Sequence, residues 1–472
     1  METIFTDTPA ARLAAGGRSL HYGREQLLAL LRRAASQANR QGQEILASLI
    51  IPVSPLDALL VWRAFRHLHE GECYFWELPA RQTALVGTKP AVTIETGGAE
   101  RFSAASAAWR SLLQNAIIAH GAGSDERDGP MFFGGFAFDP LNSRTPLWQH
   151  FPDGLLVLPT LLYHQNGEHA AFIISSLVSL TSNEEALAKQ MATLLARLQQ
   201  ALNVSEDLPV TAQSGKLAVR DLISREDWQG IVADAVREIR HGAYQKVVLA
   251  RSIQVTREEG AFDVEATLAR LRESYASAYV FAFQRGERFF TGATPERLIS
   301  ARDGQLRTMA LAGSFPRGTT EEEDQRLGAE LLASEKNREE HEIVVKTLKE
   351  ALASLCTKVH VADTAHLLRL KNIQHLETPI FGELLPDHSV LEALAVLHPT
   401  PAVGGLPREA ALAAIRAKER LDRGWYAGPV GWLDARGDGE FAVALRSALI
   451  EGNQAILFTG CGIVADSVPE SE

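Results

Sequence analysis

The order of apolar and polar positions divides the chain into short strands and amphipathic helices. In the first part of the chain, helix-like stretches such as REQLLALLRRAASQA alternate with strand-like ones such as CYFWEL, MFFGGFAF and HAAFIISSLV. In the second part, the spacing predicts a helix in SREDWQGIVADAVREIRHG, a strand in KVVLARSIQV and one long helix over about residues 320–355.

The predicted strands occur in neighbouring groups with turn dipeptides between them, such as Arg285-Gly286 and Asp303-Gly304. Short strands joined by such turns favour antiparallel sheets with helices packed outside, an α+β type of α/β fold, over a repeated βαβ unit. The polar segment VSEDLPVTAQSGK, at residues 204–216, is typical of a surface connector. We therefore expect an amino-terminal half at residues 1–203 and a carboxy-terminal half at residues 217–472.

Composition limits the possible functions. A chain of 472 residues with 46% apolar and 22% charged side chains can bury a large core, as two domains or one large unit. Its net charge of −11 offers no attraction to nucleic acid or anionic lipid. Cys73, Cys356 and Cys461 are odd in number and far apart, which favours a reducing compartment over a disulfide framework. With no signal-like start and no apolar run near about 18 residues, we expect a cytoplasmic protein that binds neither nucleic acid nor membrane.

Two ionisable residues lie at predicted strand ends. Lys246 opens the apolar strand KVVLAR, where burial would disfavour the charged ammonium and make the side chain a usable base. A strand-end lysine that extends to water is the alternative. Glu296 follows Pro295 directly after the strand RFFTGA, where apolar walls would raise the carboxyl pKa and suit a general acid. A turn or helix-start carboxylate is the alternative there.

Glu340 falls on the apolar side of the predicted long helix. Leu332, Val344 and Leu348 continue its stripe at spacings of four and eight residues. A carboxylate on a buried stripe must be paired or must bind a cation. A hard cation such as Mg²⁺, which prefers oxygen ligands, and a salt bridge to a core arginine are both compatible with this position.

Further candidates lie near the end of the chain. Arg446 is the one charged residue in the strand-like run FAVALRSALI, so its guanidinium needs a carboxylate partner, either internal or on a substrate. Tyr426 lies among glycines in RGWYAGPVGWL, where small residues let a ligand approach the backbone. Gly460 and Gly462 in GCGIV could donate backbone N–H groups to a carboxylate. No phosphate loop or dinucleotide-binding glycine pattern is present in the sequence.

From Lys246 onward, the order of the motifs resembles the catalytic half of the chorismate-utilising enzymes. The landmarks are KVVLAR, TPERL, LAGSFPRG, KNREEHEIVV, IQHLETPI, LHPTPAVGGLPR, DRGWYAGPVGW, FAVALRSA and GCGIVADSVPESE. In the first half, MFFGGFAFD at residues 131–139 is similar to the family's amino-terminal part. The resemblance implies one large α/β unit with two packed antiparallel β-sheets, helices on the outside and a Mg²⁺-dependent site at the sheet edge.

Members of this family differ in the nucleophile that they deliver to chorismate. Nitrogen-adding members usually carry Pro-Ile before an Ala-Gly or Lys-Gly step, whereas this chain reads Ala310-Leu311-Ala312-Gly313. This pattern resembles the water-adding type and implies isochorismate synthase activity in a menaquinone or siderophore pathway, with no glutaminase subunit. The alternatives are a salicylate synthase, an anthranilate or aminodeoxychorismate synthase component I, and a non-catalytic chorismate-binding relative.

The resemblance also implies catalytic roles. Lys246 would take a proton from the water that attacks C2 of chorismate, and Glu296 would protonate the C4 hydroxyl as it leaves. Glu340 and Glu472 would hold Mg²⁺ at the ring carboxylate. Because the family's last motif continues beyond the position of Glu472, we expect the natural chain to extend further.

The same resemblance implies how chorismate is held. Tyr426 and Arg446 would bind the enolpyruvyl carboxylate. The other expected substrate-binding residues are Ala312, Gly313, His375, Thr378, Gly460 and Gly462. We expect the protein to work as a monomer or homodimer.

Overall fold

The computed structural model of the chain describes residues 11–15, 18–69, 71–142, 144–206, 215–369 and 373–472. Most of the predicted connector, residues 207–214, lies outside the described residues, as does the start of the chain at residues 1–10. The helix before the connector extends to Glu206, and the strand after it begins at Leu217.

Helices occur between groups of strands along the described ranges. The helices are α1 (Arg24–Gln41), α2 (Ala58–Leu68), α3 (Arg101–Leu113), α4 (Glu184–Glu206), α5 (Arg225–Arg240), α6 (Val264–Ser274), α7 (Glu321–Ala333), α8 (Glu335–Leu352), α9 (Val390–Leu397) and α10 (Arg408–Lys418). The strands of the first half are β1 (Ala11–Ala15), β2 (Arg18–Tyr22), β3 (Ile45–Val53), β4 (Cys73–Leu78), β5 (Thr83–Thr96), β6 (Ile117–His120), β7 (Met131–Phe136), β8 (Gly154–Asn166) and β9 (His169–Val178).

The second half adds more strands than the first. They are β10 (Leu217–Asp221), β11 (Lys246–Arg257), β12 (Tyr279–Arg285), β13 (Arg288–Thr294), β14 (Arg297–Arg302), β15 (Gln305–Pro316), β16 (Cys356–Val361), β17 (His366–Arg369), β18 (Ile373–Leu384), β19 (Gly405–Leu406), β20 (Pro429–Asp434), β21 (Gly439–Val443), β22 (Ser447–Glu451) and β23 (Gln454–Ile463).

Several helices begin where a polar side chain satisfies the first backbone N–H groups. Ser224 caps α5 by accepting a hydrogen bond from Asp227 N, and Asp263 caps α6 in the same way. At α9, Ser389 and Glu392 form a reciprocal capping box. None of the helices in the described ranges has both the length and the hydropathy needed to cross a membrane.

The predicted long helix is two helices, α7 and α8, which meet at Ser334. Ser334 has an extended backbone that ends α7, and its hydroxyl caps α8. Because of this break, Leu332 is 40% exposed and does not belong to the stripe that contains Glu340. The rest of that stripe is confirmed, since Val344 and Leu348 are buried.

Hydrogen bonds join most of the described strands into one network that divides at β8. One edge of β8 pairs with β5, and the pairing continues through β4, β12, β13, β22 and β23 to β11. The other edge pairs with β7 and continues through β20, β21, β14 and β15 to β18. All of these pairs are antiparallel, whereas β3 and β6 are parallel. The strands from β5 to β11 form one arm of the network, and the strands from β7 to β18 form the other. The two arms confirm the expected antiparallel sheets, and β8 joins them.

The two arms enclose the main hydrophobic core. Tyr74 of β4 stacks on Phe133 of β7 with ring centroids 5.4 Å apart, and Phe283 of β12 contacts the Trp425 ring at 5.4 Å. A second core lies on the other face of β4 and β12, under α1, α2 and α4, and contains Trp62. Helices therefore cover an outer face of the sheet, as the sequence predicted.

The close approach of β7 to Trp425 gives a test of this packing. A Cβ atom on Gly135 would lie 1.9 Å from Cζ3 of Trp425, so we expect Gly135→Ala to reduce the free energy of unfolding by about 1–3 kcal/mol through overpacking. Gly230 in α5 is the matched control, because nothing lies within 4 Å of its Cβ position. Gly230→Ala should increase that free energy by up to about 1 kcal/mol, the difference in helix propensity. Chemical denaturation measures both, and an unchanged Gly135→Ala protein would contradict the packing.

Candidate active site

Lys246 is the first residue of β11, as predicted, and lies where three strands meet. β11 pairs with β23 along most of its length and with β19 at Lys246 and Val247. The Lys246 ammonium forms a salt bridge with Glu340 of α8, with Nζ and Oε1 2.8 Å apart and the side chains 18% and 33% exposed. Glu340 is thus paired, but with a lysine rather than with a core arginine. The pair joins two candidate residues from distant parts of the chain.

Glu296 lies just after β13, at the point where the two arms of the sheet come together. Its backbone is fixed from both sides, because Val443 N donates to Glu296 O at 2.9 Å and Glu296 N donates to Thr294 Oγ1 at 3.3 Å. Burial raises the pKa of the Glu296 carboxyl to about 7, although the positive charge of Lys246 opposes this shift. A carboxyl group in this state can donate a proton near neutral pH.

The glycines of GCGIV form the surface beside Lys246. Both lie inside β23, which runs through to Ile463. A Cβ atom on Gly462 would lie 3.2 Å from Cε of Lys246, and one on Gly460 would lie 3.2 Å from the Tyr426 hydroxyl. Larger residues at either position would therefore fill the space next to the lysine and the tyrosine.

Tyr426 is buried beside this surface. Its ring stacks on Phe458 of β23 with centroids 5.0 Å apart. Burial raises the pKa of Tyr426 to about 12, so its hydroxyl remains a hydrogen-bond donor at neutral pH. The family resemblance implied that Tyr426 and Gly460 both contact the substrate, and the structure brings the two residues together.

A wall of the site is formed by β15 and β18. Ala312 is buried, and Gly313 forms a bulge between Ala312 and Ser314 with φ at 72°. A Cβ atom on Gly313 would lie 3.1 Å from the Cβ of Asn337, so glycine is needed both for the backbone conformation and for the close approach of α8. The Ser314 hydroxyl contacts His375 Nδ1 at 2.7 Å.

His375 and Thr378 lie on the same strand but have different surroundings. Burial lowers the pKa of His375, and the positive charges of Arg446 and Lys246 lower it further, so the ring is neutral and within electrostatic reach of both. Thr378 is buried and its hydroxyl contacts His341 Nε2 at 2.7 Å. The Thr378 hydroxyl therefore already has a protein partner.

Arg446 does not lie inside a strand. The predicted strand FAVALRSALI is interrupted between β21 and β22, where Arg446 adopts a left-handed φ of 48° and its side chain is exposed. Its guanidinium lies 5.9 Å from the centroid of the Tyr275 ring. No carboxylate of the described residues pairs with it in a salt bridge, which favours the interpretation of Arg446 as a binding group over an internal ion pair.

Glu472 contacts residues of α5 and β23, and its expected role as a metal ligand together with Glu340 stays a prediction. Its backbone oxygen accepts a hydrogen bond from Trp228 Nε1 at 3.3 Å. Its carboxylate lies beside Cys461, where burial and then the Glu472 charge raise the pKa of the thiol to about 12. Side chains alternate along a strand, so Cys461 points to the face of β23 opposite to Gly462 and Lys246.

The expected magnesium site of two carboxylates stays a prediction. No group of three or more His, Cys, Asp or Glu side chains in the described ranges is placed to hold a metal ion. One carboxylate with substrate oxygens and waters is also a common way to bind Mg²⁺. Glu340, a third exposed next to the wall of β15, fits that simpler arrangement.

Sequence reasoning missed a buried ion pair behind β11. Glu419 and Arg423 have side chains only 1% and 2% exposed. Glu419 Oε1 accepts from Ala250 N at 2.7 Å, and Arg423 Nη2 donates to Val248 O at 2.7 Å. Arg423 also donates to Val403 O at 3.2 Å. The spacing of four residues between a glutamate and an arginine was visible in the sequence, but it usually marks an exposed helical pair.

Comparison with known proteins finds relatives over most of the chain. The family described as chorismate binding enzymes matches residues 33–472. The chain is 37% identical over 465 residues to the salicylate biosynthesis isochorismate synthase of Pseudomonas aeruginosa, covering 98% of this chain and 93% of the relative. It is 36% identical over 443 residues to the isochorismate synthase MenF of Bacillus subtilis, with 93% of each chain covered.

Solved structures agree with this grouping. The menaquinone-specific isochorismate synthase MenF from Escherichia coli superposes with a TM-score of 0.74 at 28% sequence identity, covering 93% of this chain and 96% of that one. The family's sequence pattern matches most of this chain, and the fold of this chain matches that of the Escherichia coli enzyme. Both findings lead to the same conclusion. The chain belongs to the family of chorismate-binding enzymes.

Proposed function

We propose that the protein is an isochorismate synthase, which converts chorismate to isochorismate. The observation that supports this most strongly is the placement of Lys246, Glu296 and Glu340 around one surface formed by β11, β23 and the end of β13. The names of the relatives, both isochorismate synthases, support the same activity. The reaction adds water at C2 and removes the C4 hydroxyl, so it needs one group to accept a proton and another to donate one.

In the proposed mechanism, Lys246 accepts the proton of the attacking water and Glu296 donates a proton to the C4 oxygen. The C2–O bond forms and the C4–O bond breaks, while the two conjugated ring double bonds each shift by one position. The protonated C4 hydroxyl leaves as water, so one water is added, one is released and the net change is an isomerisation. The salt bridge to Glu340 holds the end of the Lys246 side chain beside the glycines of β23.

The carboxylates of chorismate need fixed donors. Arg446 provides an exposed guanidinium without a salt-bridge partner among the described carboxylates, and Tyr426 provides a buried hydroxyl. Gly460 and Gly462 leave room for the ligand next to Lys246. Such anchors hold the ring while the proton-transfer groups act, which is the usual way that orientation lowers a reaction barrier.

Ala312 supports water as the nucleophile. Its side chain, on the wall formed by β15, carries no amine that could attack the substrate. A product with a new hydroxyl group at C2 is expected, labelled when the reaction runs in H₂¹⁸O. We also propose a menaquinone or siderophore pathway and a cytoplasmic location, which the three free cysteines support.

A Mg²⁺ requirement is part of the proposal. Glu340 would hold the ion together with the ring carboxylate of chorismate, and the ion would neutralise that carboxylate. The experiment that tests the proposed function is to incubate the protein with chorismate and Mg²⁺ and to separate the products by chromatography. Isochorismate is expected; salicylate with pyruvate, or anthranilate when ammonium is supplied, would instead identify another activity.

Replacing the base should abolish turnover. We expect Lys246→Ala to lower kcat by about 10²-fold or more, the usual size of a general-base contribution, while chorismate still binds through its carboxylate anchors. Lys349→Ala, which removes an exposed lysine of α8, is the control and should match the wild type. Steady-state kinetics and chorismate-binding calorimetry measure both effects. A Lys246→Ala protein with near-normal kcat would remove Lys246 from the mechanism.

Glu296 should make stability depend on pH. Its pKa of about 7 in the folded protein exceeds the ordinary value of 4.5, so its proton is bound more tightly in the folded state. The stabilisation is complete below about pH 4.5 and is lost as the pH rises through about 7. Glu296→Gln should remove this dependence and gain up to about 3 kcal/mol over the wild type at pH 8 while losing activity. Chemical denaturation of both proteins at pH 5 and pH 8 tests this prediction. If the variant and the wild type differ in free energy of unfolding by the same amount at both pH values, the prediction is wrong.

Glu340 should be required for metal-dependent activity. We expect Glu340→Gln to lose the response to Mg²⁺ without unfolding, because the amide keeps the shape of the side chain. Glu339→Gln removes the exposed neighbouring charge of α8 and is the control. The measurements are the activity of each variant as a function of Mg²⁺ concentration and the affinity of each variant for Mg²⁺. Wild-type activity that survives exhaustive chelation would refute the metal assignment.

A further inference from the structure

Thr400 is a buried hydroxyl that has no partner. It lies in the loop between α9 and β19 and is 8% exposed. Its Oγ1 atom forms no hydrogen bond within the described part of the chain. The loop itself is well fixed, because Thr400 O accepts hydrogen bonds from Val403 N at 3.2 Å and from Gly404 N at 2.9 Å. Since buried polar groups are nearly always paired, this hydroxyl requires an explanation.

Thr400 and Glu296 line the same small cavity. Its volume is about 10 Å³, which is close to the minimum for one water molecule. Arg297 also lines it, and its Nε atom is likewise buried without a partner in the described ranges. The rest of the lining is largely apolar and includes Leu298, Met309, Leu311, Val344 and Leu348.

A buried water generally makes two to four hydrogen bonds to groups that would otherwise be unsatisfied. The cavity offers four polar side chains, those of Thr400, Arg297, Glu296 and Thr308. Thr400 and Arg297 each leave a buried polar atom without a partner among the described residues. An apolar cavity of this size would stay dry, whereas one with such partners binds water.

We propose that one buried water bridges the Thr400 hydroxyl to the carboxyl group of Glu296, and that Thr400 is a positioning residue for the catalytic acid. This inference rests on the proposed function. The bridge restrains rotation of the carboxyl group and leaves its other oxygen for the C4 hydroxyl of the substrate. Thr400 acts through Glu296, so its loss affects the proton-transfer step rather than the anchoring of the substrate carboxylates.

Two substitutions at Thr400 separate the hydroxyl from the shape of the side chain. Thr400→Val keeps the volume and removes the hydroxyl, and we expect kcat to fall by about tenfold or more with KM changed by less than about twofold. Thr400→Ser restores the hydroxyl and should retain most of the wild-type kcat. Thr308→Val is the matched control, because Thr308 lines the same cavity but its hydroxyl already donates to Leu298 O at 2.6 Å.

A crystal structure of the wild-type protein provides a measurement that is independent of activity. An ordered water within hydrogen-bonding distance of Thr400 Oγ1 and Glu296 supports the inference, and an empty cavity overturns it, even if Thr400→Val does not fold. A Thr400→Val protein with wild-type kcat and KM also overturns it. If the wild-type protein forms no isochorismate, the proposed function fails, and the crystallographic water still decides the role of Thr400.

Discussion

The strand β11, which begins at Lys246, is held in position by one ion pair buried behind it. Glu419 and Arg423 are almost completely inaccessible, and two charges are tolerated there only because each makes further hydrogen bonds. Glu419 accepts from Ala250 N, and Arg423 donates to Val248 O and to Val403 O. The pair therefore links β11 to the loop that precedes β19. Loss of either charge would leave the other buried and unpaired, so these elements are held in one arrangement.

The site itself contains groups that a purely structural core would not accept. Glu296 is a carboxyl group whose burial raises its pKa to about 7, so ionisation works against folding at neutral pH. The charged groups of Lys246 and Glu340 are partly removed from water, and their attraction offsets part of the cost of removing them. Arg446 is held in a left-handed backbone conformation that L-residues adopt at a cost. Such features persist because the surrounding sheets fix them, and they coincide with the residues proposed for chemistry.

Local sequence patterns predicted the helices and strands that carry these groups better than they predicted where those elements break or how they contact one another. The strand that begins at Lys246 and the buried stripe with Glu340, Val344 and Leu348 follow from periodicity alone. Leu332 was misplaced because Ser334 ends one helix and caps the next, and the apolar spacing continues across the break. The strand predicted around Arg446 was wrong because apolar composition does not reveal a left-handed turn.

The amino-acid sequence alone determined the type of many elements, the family resemblance and the residue types available for acid–base chemistry, because these depend on patterns within short stretches of the chain. Only the tertiary structure decided which of them meet. It paired Lys246 with Glu340, placed the Glu472 carboxylate beside Cys461, and brought Glu296 and Thr400 to one cavity. Contacts between distant segments depend on sheet register and on which face a side chain occupies. A shift of one residue in the pairing register moves a side chain to the other face of the sheet. The periodicity within a single strand does not reveal which strand it pairs with.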